Sequence, residues 1–164
     1  MHNGTSTLNS KLNNEYYDEV ADHAEKKYLA TVYNAVTRID SAVEEIKEDI
    51  SESDVLDRNT FGCLYSILDN ILDCTLDLRN GYHTVGISCD SEESTAVEEY
   101  FYSASNDLRT DIIRLFDRCQ DKVVEMIDAL DDVRESDNNA ACMVEGLYDS
   151  VITLYDVFES CLIA

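Results

Sequence analysis

Six apolar residues, Val32, Val36, Ile39, Val43, Ile46 and Ile50, recur along the chain at steps of 4, 3, 4, 3 and 4. An α-helix returns to the same face about every 3.6 residues, so this spacing gathers all six side chains into one stripe. Arg38, Asp40, Glu44, Glu45 and Lys47 fall off it. A helix with such a stripe is unstable alone in water, and the fold must supply other helices to cover it. The stripe extends backwards through Tyr28, Ala24, Val20 or Ala21, and Tyr17, which predicts a first helix from about Glu15 to about Ile50. The Ser-Glu-Ser-Asp after Ile50 competes for backbone hydrogen bonds and ends it.

The rest of the chain repeats the pattern. Phe61, Leu64, Leu68, Ile71, Thr75 and Leu78 mark a second helix, stopped by Asn80-Gly81. Residues 81–90 read as a loop, and Asp90 with Glu93 forms a capping arrangement for the third helix. From Val97 to Val133 apolar residues at steps of 3 and 4 (Phe101, Ala104, Leu108, Ile112, Leu115, Cys119, Val123, Met126, Leu130) predict that third helix as a single long one. The fourth carries Ala140, Met143, Leu147, Val151, Leu154, Phe158 and Cys161. No Pro and only 5 Gly in 164 residues leave little punctuation for strands and turns. The sequence therefore predicts an all-α fold, an antiparallel up-down-up-down four-helix bundle built of two long-short hairpins. Residues 1–13 are a flexible lead-in and 14–164 one domain.

Shifting the chain by 83 residues lays Glu52-Ser53-Asp54 on Glu135-Ser136-Asp137, Leu64-Tyr65 on Leu147-Tyr148, and Asp49 on Asp132. This suggests an internal repeat of 14–80 and 97–163. The long helices outrun the short ones, so the apolar ends of helices one and three need cover. Those ends pack either on each other or on a second molecule, as a homodimer or a partner groove, and Tyr17, Tyr28, Tyr100 and Phe101 are the candidates for self-association.

The formal charge is −23, from 35 acidic and 12 basic residues. With 45% hydrophobic residues this is not a disordered acidic tail. A field of that sign repels nucleic acid and anionic membranes and attracts basic proteins. A salt-rich cytosol or a solvated acidic face would give the same composition. No signal peptide and no bilayer-length apolar run is visible, so the expected location is cytoplasmic and the 6 Cys are expected to be reduced.

Four kinds of candidate site are legible. Asp69, Asp73 and Asp77, at i, i+4 and i+8, make an acidic ladder on helix two, and Asp117 and Asp121 a similar pair on helix three. Their expected role is partner binding: carboxylates spaced like a nucleic-acid backbone that occupy the channel of a basic partner, as small inhibitors from viruses and mobile elements do. Glu45 and Glu48, with Glu44 before them, form a Glu-x-x-Glu element that resembles the first metal motif of the all-α nucleotide pyrophosphohydrolases; the facing Glu-x-x-Asp motif is missing. Arg79 and His83 resemble the Arg…His signature of the HEPN ribonucleases, with three residues intervening instead of four to six. Neither departure leaves a catalytic set, and no cofactor or metal is expected. The final Cys161-Leu162-Ile163-Ala164 fits a prenylation pattern, but Cys161 already belongs to the apolar stripe and no basic stretch precedes it. The leading expectation is a non-enzymatic acidic module that binds a basic, nucleic-acid-binding protein. The alternatives are a self-associating assembly subunit and a carboxylate-bundle enzyme using Glu45 and Glu48.

Overall fold

The computed structural model describes residues 8–81, 91–136 and 138–163, with side chains for 30–81, 92–136 and 142–163. Five α-helices, and no strand, make up the described residues: α1 (Leu8–Glu52), α2 (Arg58–Arg79), α3 (Ser91–Ser103), α4 (Asn106–Ser136) and α5 (Asn138–Ile163). The founding stripe is core: Ile39, Val43, Ile46 and Ile50 are fully buried, and Val32 and Val36 nearly so. Helix α1 starts at Leu8, inside the segment expected to be a flexible lead-in, since no Gly or Pro interrupts the chain between Leu8 and Glu52. Helix α2 has the punctuation its sequence implies. Asp57 caps its start, accepting from Thr60 N at 2.7 Å, and Gly81 after its end takes a φ of +87°, open to glycine without strain. Asp90, the expected cap of the next helix, lies outside the described residues.

Helix α1 packs on α2 and α4, α5 on α2 and α4, and α3 on α2 and α5. Contacts fix the directions. Lys122 reaches Asp49 at 2.7 Å while Arg38 reaches Asp132 at 3.1 Å, so α4 runs antiparallel to α1. Lys47 to Asp69, with Arg79 to Asp40, sets α2 against α1 in the same way. Phe116 stacked on Phe158 and Arg134 over Tyr148 do so for α4 and α5. The hydroxyl of Tyr100 donates to the Val55 carbonyl ahead of α2, and Glu93 lies beside Gly62 and Tyr65, so α3 climbs back along α2. Direction alternates through five helices.

The single long third helix is therefore corrected to two. The chain reverses at Ala104–Ser105. Ser103 Oγ donates to Tyr100 O at 3.0 Å, and Ser105 Oγ accepts from Leu108 N at 3.3 Å as a cap on α4. Arg109 closes the corner, its Nε donating to Phe101 O at 3.1 Å and its terminal nitrogen to Tyr102 O, satisfying carbonyls that a helix end leaves open. Arg109→Ala should cost about 1.5–3 kcal/mol, typical of hydrogen bonds from a charged donor. Hydrogen exchange should speed up in α3 while the centre of α4 stays protected; unchanged α3 protection would show that the corner does not depend on Arg109.

The fold-back of α3 also corrects one self-association residue. Phe101 is 1% exposed inside the chain's own core and offers nothing to a second copy. Tyr100 is half-buried and bonded within the chain. The side chains of Tyr17 and Tyr28 lie outside the described residues.

Positions 83 residues apart share structural roles. Leu64 and Leu147, Leu68 and Val151, and Ile71 and Leu154 are all fully buried. Asp49 and Asp132 each take a cation from the opposing long helix. Tyr65 and Tyr148 each lie under one, Lys47 at 5.1 Å and Arg134 at 4.3 Å. The correspondence lapses at Ala21-Asp22, where α1 is unbroken opposite the break at Ala104–Ser105.

Candidate functional site

Among the described residues, four cations pair with acids of a neighbouring helix, while Arg58 and Arg118 are exposed. Lys47 donates to Asp69 at 2.8 Å and Lys122 to Asp49 at 2.7 Å, while Arg38 pairs with Asp132 and Arg79 with Asp40. Asp40 also accepts from Thr75 Oγ1 at 2.6 Å. Arg114 pairs with Asp111 one turn away, Arg134 covers Tyr148, and Arg109 caps α3. Ion pairs that stay within reach of solvent each contribute about 0–1 kcal/mol, so the main effect of these pairs is to fix register. The outward carboxylates keep the field.

The five predicted acids do not share one face. Asp69, Asp73, Asp117 and Asp121 are exposed, but α2 and α4, which carry them, flank α1 on opposite sides. Steps of four drift by about 40° each around a helix, because the turn is about 3.6 residues. The ladder therefore winds off the outer ridge, leaving Asp77 half-buried. Asp69 is held by Lys47 and is part of the α1–α2 seam as much as of the surface. Glu44, Glu45, Glu48 and Glu52 are exposed on α1, the helix that both α2 and α4 pack against. In the sequence, Glu45 and Glu48 stand out only for a Glu-x-x-Glu spacing that resembles one half of a metal motif. The signal that redirects them is the stripe itself, which leaves positions 44, 45 and 48 off the buried face.

Glu45 and Glu48 are exposed, whereas a carboxylate-bundle site needs its ligands facing inward from opposed helices. Among the described residues, no group of three or more His, Cys, Asp or Glu is placed to hold a metal. Arg79 is bonded to Asp40, and His83 lies outside the described residues. Cys161 is fully buried in α5. No helix among the described residues is long and apolar enough to cross a membrane.

Between α2 and α3 the surface opens into a groove of about 480 Å³ lined by Gly62, Tyr65, Ser66, Asp69, Asn70, Asp73 and Glu93. Gly62 lies within α2 on its exposed side, and a Cβ there would meet nothing within 4 Å. Gly62→Ala should stabilise the fold by about 0.5–1 kcal/mol, the helix-interior difference between the two residues. A higher urea midpoint is the expected reading; a lower one would reveal a backbone demand at Gly62 that the fold does not display.

Alkaline pH should weaken the fold in two stages. Burial pushes the Cys119 and Cys161 thiols up from 9.0 to about 12, so the unfolded chain ionises first and stability declines from about pH 9. The hydrogen bonds from Lys47 to Asp69 and from Lys122 to Asp49 hold both ammonium groups above their ordinary 10.5. Their contribution is complete below pH 10.5 and is lost as pH rises through the higher folded values. Urea midpoints measured from about pH 7 to 11 should fall in that order. In Cys119→Ala/Cys161→Ala the fall between pH 9 and 10.5 should flatten; an unchanged slope would remove the thiols from the account.

The chain matches no protein-family model, no curated protein and no solved structure closely enough to count as similar.

Proposed function

We propose that this chain is a non-enzymatic acidic module that binds a basic, nucleic-acid-binding protein and occupies the surface that protein uses for nucleic acid. The observation that carries this reading is the division of charge. Lys47, Lys122, Arg38 and Arg79 are engaged between helices, while Asp73, Asp117, Asp121, Glu44 and Glu48 stand outward. Helices fix the spacing of those carboxylates, so a partner meets a preorganised anionic surface with little left to order on binding. Positions shared at a spacing of 83 residues support a duplicated helical hairpin as the scaffold.

The test is affinity capture from an extract of the source cell on the immobilised chain, after nuclease treatment, followed by elution with duplex DNA and, separately, RNA. The reading expects a basic protein that nucleic acid elutes. Partners that withstand nucleic acid at saturating concentration would overturn it.

Self-assembly is the second reading, favoured by the length of α1. Its residues Arg38 and Asp40 meet the last turns of α4 and α2, and the 45-residue helix continues upstream of them as far as Leu8. Light scattering with size exclusion distinguishes the two: a monomer at every concentration rejects assembly and leaves the first reading intact.

A further inference from the structure

We draw no further inference here: the strongest candidate, the groove between α2 and α3 floored by Gly62 and walled by Asp69, Asp73 and Glu93, is an acidic cluster within the surface already described, and nothing in the structure shows what covers it.

Discussion

Phe116→Ala should destabilise the protein by about 3–5 kcal/mol, the range for truncating a fully buried aromatic residue. Phe116 is completely buried and stacks on Phe158 with ring centroids 4.6 Å apart, joining α4 to α5. Removing the ring loses its transfer free energy, the ring-to-ring attraction and the contacts of whatever lines the resulting cavity. Domains of this size are stable by about 5–15 kcal/mol, so the variant should sit near the edge of folding. Urea titration should show a large drop in midpoint, whereas Tyr33→Ala, at a residue 58% exposed, should change stability by about 0.5 kcal/mol or less. A loss under about 1 kcal/mol for Phe116→Ala would mean that α4 and α5 do not meet through these rings.

Charge reversal on the outer ridges should have the opposite profile: little effect on folding and a large effect on binding. Asp73, Asp117, Asp121 and Glu48 are exposed. Asp117 and Asp121 repel one another at i, i+4, which costs the helix a few tenths of a kcal/mol. Asp69 is best left alone, because a lysine there would face Lys47 and break the α1–α2 seam. The variant Asp73→Lys/Asp117→Lys/Asp121→Lys/Glu48→Lys should retain its circular dichroism and melting transition. Its affinity for the captured basic partner should fall by about 100-fold or more, since each tenfold step is only about 1.4 kcal/mol. Unchanged affinity would move the contact elsewhere, and loss of the fold would show that these acids have structural duties.

How much of the molecule is legible in its sequence depends on what kind of residue carries the information. The stripe from Val32 to Ile50 announces a buried helix face, and every member of it is core. The same rule fails between Val97 and Leu108 because a helix that doubles back keeps burying an apolar face on both sides of the turn. Steps of 3 and 4 report burial, not direction. The signal for the turn is present in Ser103-Ala104-Ser105-Asn106-Asp107, a cluster like those that end the other helices, but the unbroken apolar spacing outweighs it. Phe116 escapes the periodicity because its neighbour Leu115 satisfies the count, although α4 needs a wider buried face to meet both α1 and α5. The acid ladder is legible as exposed charge, but its grouping is not. Whether Asp73 and Asp121 share a side depends on which helices are neighbours, a tertiary fact that spacing along one helix does not encode.

The most direct measurement is a competition. A fluorescent duplex bound to the captured basic protein is titrated with this chain, anisotropy and complex mass being followed together at several salt concentrations. If the carboxylates of α1, α2 and α4 replace phosphates, the duplex is released in full and no species contains all three components. The strength of displacement then falls steeply with added salt. A stable complex holding partner, duplex and this chain at once would contradict the account.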